Sequence, residues 1–244
     1  MSEFYYDLHL HSCLSPCADN DNTPNNLAGM GTLAGLQLMA LTDHNTCRNC
    51  PAFFAAAARQ GIVPVAGMEL TTAEDIHLVC LFPTLDDAMA FDAVIDRRRV
   101  RIPNRPAVFG DQLLCDAADA VIGTEPDLLP NATTVSLEEA IPLAEQHRGI
   151  AYPAHIDREA NGILAVLGDL PPTPRFSCVE LHDGDREAAI RSRVDLGNAL
   201  VLVSSDAHFL WDIRDKDRRL SLDADAAKPD AVRRALIDRL RGGL

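Results

Sequence analysis

Two short words at opposite ends of the chain, Asp7-Leu8-His9-Leu10-His11 and Ser205-Asp206-Ala207-His208, bracket every histidine in the sequence. That layout describes a metal site assembled from the whole chain. The first word suits a β-strand, in which alternation sends His9 and His11 to one side, where two imidazoles can reach one ion. Leu8 and Leu10 would then face the opposite way, into a core.

Length and charge set the frame for that site. A chain of 244 residues makes one large domain, or one domain with an insertion. A net charge of -14 and a pI near 4.8 argue against long nucleic-acid partners, whose phosphate backbone needs a basic surface. Small anionic substrates stay possible, because bound cations can reverse the local field inside an acidic protein. No apolar N-terminal run follows positive charge and no stretch reaches bilayer length, so a cytoplasmic protein without a membrane partner is expected. Cys13, Cys17, Cys47, Cys50, Cys80, Cys115 and Cys178 are odd in number and read as reduced thiols.

Hydrophobic periodicity gives alternating strands and helices. Strands are expected over residues 4–8, 38–41, 62–65, 76–82, 149–152, 178–181 and 200–203. Helices are expected over 24–36, 52–60, 85–97, 136–146, 186–193 and 230–240, with Thr23-Pro24 and a Ser136 to Glu139 capping box as start signals. Two apolar segments around Asp116-Ala117-Ala118-Asp119 break the rhythm and read as a β-hairpin serving as a lid or flap. One barrel domain over 1–244, with an inserted helix and hairpin at about 83–135, is the expected organisation. The hairpin can cover the site or pair with a neighbouring copy, which leaves the oligomeric state open.

Asp43-His44, Glu69, His155 and Asp206-His208 each follow a predicted strand. An α/β barrel collects side chains from the ends of many strands, whereas an open sheet concentrates them at one switch point. His9, His11, Glu69, His77, His155, Asp206 and His208 supply imidazoles and carboxylates suited to zinc, manganese or iron, and His44 and Cys17 can join them. A single strand-end histidine is more often a satisfied polar residue than a ligand; six of the eight histidines recurring in such positions outweigh that reading.

The ordered series Asp-x-His-x-His-Ser, Thr-Asp-His, Gly-x-Glu, a strand histidine, Ala-His and Ser-Asp-Ala-His resembles the PHP (polymerase and histidinol phosphatase) family of metal-dependent phosphoesterases, from residue 7 to residue 208. Ser15-Pro16-Cys17-Ala18-Asp19 and Thr23-Pro24-Asn25-Asn26 resemble a small stand-alone bacterial branch of it. The resemblance implies a distorted (β/α)7 barrel with two to three divalent metal ions at its C-terminal mouth. It implies that His9, His11, Glu69 and Asp206 hold one ion, that Glu69 bridges to a second held by His77 and His155, and that His44 and His208 hold a third. The family commonly places one more histidine on the third ion, where this chain has Cys17. A thiolate there would bias that position toward zinc or iron, while the hard ligands of the other two suit manganese; otherwise Cys17 is a loop thiol and two metals bind.

A bridged metal pair can hold a hydroxide and stabilise the entering and leaving oxygens at phosphorus. Asp7 and Asp43 are candidates to fix histidine tautomers, with a helix cap as the alternative for Asp43. His182 can touch substrate or protonate the leaving oxygen, or be a surface turn residue. Arg48, Arg158 and Arg186 can grip phosphate, or be solvated. Cys47-x-x-Cys50 suits a zinc knuckle or redox pair, or the start of a helix. Arg97-Arg98-Arg99-Val100-Arg101 can draw a nucleotide toward the mouth, or form a solvated helix end. The expected activity is metal-dependent hydrolysis of a small phosphate monoester, a metabolite or nucleotide. The alternatives are phosphodiester cleavage of short oligonucleotides, as an exonuclease, and a non-catalytic metal-binding interaction module.

Overall fold

The computed structural model describes residues 1–242. In chain order the elements are β1 (Ser2–Asp7), α1 (Pro24–Leu33), β2 (Leu38–Leu41), α2 (Cys50–Arg59), β3 (Val63–Thr71), β4 (His77–Phe82), α3 (Leu85–Asp96), α4 (Pro106–Phe109), β5 (Leu113–Cys115), β6 (Val121–Thr124), α5 (Leu137–Gln146), β7 (Ile150–Pro153), α6 (Ile163–Leu167), β8 (Cys178–Leu181), α7 (Glu187–Arg191), β9 (Leu200–Val203), β10 (Arg219–Leu222) and α8 (Pro229–Leu240). Local chemistry starts the helices as the sequence indicates. Thr23 caps α1 with Pro24 in its first turn, and Ser136 and Glu139 form the reciprocal capping box of α5.

One curled sheet runs in the order β10-β1-β2-β3-β4-β7, and β8 and β9 form a separate parallel pair. Two hydrogen bonds close these into a distorted seven-strand ring. Ile156 N–H donates to Glu180 O at 2.8 Å beyond β7, and His11 N–H donates to Ala207 O at 3.1 Å beyond β1. β10 lies outside the ring, antiparallel to β1, and neither it nor α6 was expected from the sequence. The ring also departs from uniform β-then-α order, because β4 pairs antiparallel with both β3 and β7.

Strand alternation divides the apolar side chains into two cores. Phe4, Tyr6, Leu8, Leu38, Ala40, Val63, Val65, Val79 and Leu81 fill the inside, and α8 adds Val232, Leu236 and Leu240 there. Arg233 of α8 donates to Pro83 O and Pro64 O, which seals the end opposite the mouth. Met39, Leu41, Met68, Leu78, Cys80 and Phe82 face the other way, toward the helices. Leu8 and Leu10 therefore do not share a core as expected: Leu8 belongs to the inner cluster and Leu10 to the outer one. The reason is that β1 ends at Asp7, whose Oδ1 accepts the backbone N–H groups of His9 and Ser205 in place of a strand partner.

The β5–β6 hairpin forms where expected but does not stand as a free flap. Leu113 N–H donates to Cys13 O, Asn49 bonds Leu113 O and Cys115 N–H, and Asp119 accepts from Thr23 and from Asn25 at the start of α1. The preceding segment reaches the rim, where Gly110 has φ +99° and an added Cβ would sit 2.0 Å from Pro16 O. Among the described residues no helix is long and apolar enough to cross a membrane.

Candidate metal centre

Glu69 occupies the middle of a buried group of imidazoles. It lies on the inward-facing register of β3, directly opposite Val79, while Thr71 opposes His77. Because β4 runs antiparallel, His77 reaches the mouth from the N-terminal end of its strand, unlike the other strand-end residues. Its Nδ1 is 2.7 Å from Glu69 Oε1, and His155 Nε2, just beyond β7, is 3.0 Å from the same oxygen. His44 Nδ1, beyond β2, lies 3.0 Å from Glu69 Oε2.

His9 and His11 meet at their Nε2 atoms, 3.3 Å apart. His9 Nε2 is 3.3 Å from both Glu69 Oε1 and Asp206 Oδ1, and His11 Nε2 is 3.2 Å from Glu69 Oε2 and from Asp206 Oδ1. His208 stacks on His11 with ring centroids 4.3 Å apart. Three sets of ligand atoms lie close enough together to hold an ion: His9, His11, Glu69 and Asp206; His44, Glu69 and His77; and His11, His44 and His208. Asp206 Oδ1 and His44 Nδ1 are buried without a hydrogen-bond partner, an expensive arrangement for polar atoms unless something else satisfies them.

A second layer fixes the rings. His9 Nδ1 lies 2.8 Å from Glu180 Oε1, and His11 Nδ1 lies 2.9 Å from Ser15 Oγ, which donates to Asp43. Asp43 also accepts the Ser12 hydroxyl and backbone N–H, and it caps no helix, since α2 begins after Asn49. Glu180 was missed in the sequence, although a lone carboxylate in the apolar strand Cys178-Val179-Glu180-Leu181 is a signal that could have found it. Burial alone would depress the His9 imidazolium and raise Glu69, but the mutual field reverses both. Glu180, Asp206 and Glu69 hold the His9 pKa well above the ordinary histidine value, while His77, His9 and His44 hold Glu69 well below the carboxylate range. Burial pushes Asp7 up to about 6.

Cys17 sits exposed at the rim and belongs to none of the three ligand sets; His11 completes the set with His44 and His208. Desolvation would raise its thiol, yet His44 and His208 lower it to about 5. Cys47 and Cys50 are buried and donate toward Gly67 O at the start of α2, apart from any cluster of four cysteines. Cys13 instead meets Cys115, with sulfurs 3.5 Å apart.

Of the arginines, Arg158 reaches the centre, bonding Asp206 and lying 3.2 Å from His182 Nδ1. Burial and the Arg158 charge lower the His182 pKa. Arg186 is exposed and donates to Asp157 O at 2.6 Å, while Asp157 holds the His182 and Asp183 backbone. Arg48 points away, into an ion pair with Glu125 that Arg99 shares. Three arginines of the run are paired, Arg98 on Glu139, Arg99 on Asp96 and Glu125, and Arg101 on Asp96 and Asp127, while Arg97 is exposed to solvent. A cleft of about 690 Å3 lies away from the imidazoles at the closed end, between the segments leading into β8 and β9.

The PHP domain family profile matches residues 7–152. A comparison with curated proteins finds no match. Among solved structures, the lesion-specific endonuclease Q from Pyrococcus furiosus superposes with TM-score 0.63 at 16% identity, covering 99% of this chain. This chain spans 56% of that enzyme's length. An amidohydrolase from Chromobacterium violaceum with bound sulfate superposes with TM-score 0.56 at 19% identity, covering 98% of this chain and 96% of its own. At these identities the likeness is one of fold.

Proposed function

The chain belongs to the PHP family of metal-dependent phosphoesterases, and from that premise we propose that its centre hydrolyses a small phosphate monoester using two to three divalent cations. His9, His11, Glu69 and Asp206 would hold one cation, and Glu69 with His77 and His155 a second. His44 and His208, with His11 or Cys17, would hold a third. Mixed imidazole and carboxylate donors fit zinc, manganese or iron. The observation that carries the reading is the convergence of buried imidazole nitrogens and carboxylate oxygens on Glu69 and Asp206, in three sets of ligand atoms close enough to share an ion.

When bound, such cations lower the pKa of water and neutralise charge developing on phosphate oxygens. The chain's own residues set the geometry. Glu180 and the Ser15–Asp43 relay fix the faces that His9 and His11 present. The Arg158 guanidinium, at the edge of the cluster beside Asp206 and His182, would turn N–H groups onto a phosphate, with His182 as a substrate contact.

The test is phosphate release by metal-reconstituted and chelator-stripped protein across sugar phosphates, nucleotides and short oligonucleotides. Metal-dependent turnover of one monoester class is expected, lost in His9→Ala and Asp206→Ala. Turnover that survives both substitutions would overturn the proposal. A diesterase reading draws on the endonuclease Q likeness, that protein having been solved with a 27-mer duplex carrying an abasic lesion. The charge of -14 and the pairing of Arg98, Arg99 and Arg101 with carboxylates weigh against a long duplex here.

A further inference from the structure

Two of the seven thiols face each other across segments 102 residues apart in the chain, outside the three ligand sets. Cys13 Sγ and Cys115 Sγ lie 3.5 Å apart, and both residues are buried. The backbone puts them there. Leu113 N–H donates to Cys13 O at 2.8 Å, so β5 runs alongside the loop that follows His11. Asn49 clamps the same two segments: it donates to Ser12 Oγ at 2.9 Å and to Leu113 O at 3.1 Å, and it accepts Cys115 N–H at 3.0 Å. Cys13 N–H donates to Asn22 O at 3.0 Å, which fixes the loop from its other side. Over the pair the hairpin is one strand thick, since Val121, the β6 partner of Cys115, is 56% exposed.

Sulfurs in a disulfide sit about 2.05 Å apart, so bonding asks this pair to close by about 1.5 Å, a distance that side-chain rotation can supply while the backbone clamp holds. We propose that Cys13 and Cys115 are a modification site, a dithiol that a peroxide converts to a disulfide, latching the β5–β6 hairpin to the loop that carries His11. One thiolate attacks the peroxide O–O bond, giving a sulfenic acid and a hydroxide that takes up the thiol's proton. The second sulfur then displaces the sulfenic oxygen, which leaves as water with the second thiol's proton. Two electrons pass from the sulfurs to the peroxide, and two waters are released. Buried thiols ionise reluctantly, so the reaction proceeds when the hairpin opens and closes, and the bond then prevents further opening. The proposal stands apart from the phosphoesterase reading, since it holds whatever the centre hydrolyses.

The test treats the reduced full-length protein with hydrogen peroxide, blocks remaining thiols by alkylation, and maps linked peptides by mass spectrometry after digestion without reductant. A Cys13–Cys115 linked pair that dithiothreitol reverses is expected. The oxidised protein should melt about 5–10 °C above the reduced one, because the bond constrains the unfolded chain, and amide exchange in β5 and β6 should slow. Cys115→Ala should lose both the linked pair and the peroxide-induced shift, measured against its own reduced form. Cys17→Ser, which removes the exposed thiol at the rim, should keep them. Mapping on the unaltered chain carries the test should Cys115→Ala fail to fold. Cys13 and Cys115 left unlinked after peroxide, or either one joined to Cys17 instead, would overturn the proposal. A Cys13–Cys115 bond that moved neither the midpoint nor the exchange of β5 and β6 would overturn the latch.

Discussion

Glu180 decides how His9 faces the centre, because its Oε1 is the partner of the ring nitrogen turned away from Asp206 and Glu69. Removing its charge leaves the ring without that acceptor's field, so Glu180→Gln should cost about 10–100-fold in metal affinity or activity. Metal analysis after dialysis, with circular dichroism to show the fold retained, checks it; unchanged metal content would remove Glu180 from the site's support. Cys17 shows the converse, a rim residue whose spacing suggests ligation but which belongs to none of the three sets, so that beside His44 and His208 it stands only as the alternative to His11. The histidines were legible because a buried imidazole has few other uses. Glu180 and the Ser15–Asp43 relay were less so, because a hydrogen bond between residues far apart in sequence leaves no local periodicity.

At the level of elements, the reversal of β4 determines which residues can converge. Antiparallel pairing with β3 turns the first residue of β4 toward the mouth, so His77 meets Glu69 although it begins its strand rather than ending it. Apolar runs look the same in either direction, which is why 76–82 read as a strand while its orientation did not. The excursion between α3 and α5 is held by a buried ion cluster in which Glu125 accepts from Arg48 and Arg99, the latter 2% exposed at its side chain. Glu125→Ala would leave the buried Arg99 with only Asp96 as a counter-charge and should destabilise by about 1–3 kcal/mol, read from urea unfolding. Burial opposes ionisation of Glu125, but Arg48 and Arg99 hold its pKa below the ordinary value. A depressed folded pKa means the stabilisation is complete above the unfolded value and fades as pH falls through the folded one. Amide protection in β5 and β6, corrected for the intrinsic exchange rate at each pH, should therefore fall in acid, and should lose that dependence in the variant.

Over the whole molecule, the candidate centre draws on residues from His9 to His208, so an ion bound there ties together both ends of the chain. Binding to the folded state alone should raise the thermal midpoint, by about 2.7 kcal/mol of added stability at a hundred times Kd. Melts with and without chelator test this, and a midpoint indifferent to metal would show that the cluster does not couple to folding. The sequence by itself determined the existence and order of the seven ring strands, the helix caps at Thr23 and Ser136, and which imidazoles and carboxylates gather together, Glu180 excepted. These follow from local periodicity and from the cost of burying polar groups. Only the tertiary structure decided that His11 joins His44 and His208, that Arg48 turns away while Arg158 stays, and that Cys13 faces Cys115. Ring closure at Ile156–Glu180 and His11–Ala207, and the docking of Leu113 on Cys13, set those distances through contacts between segments remote in sequence.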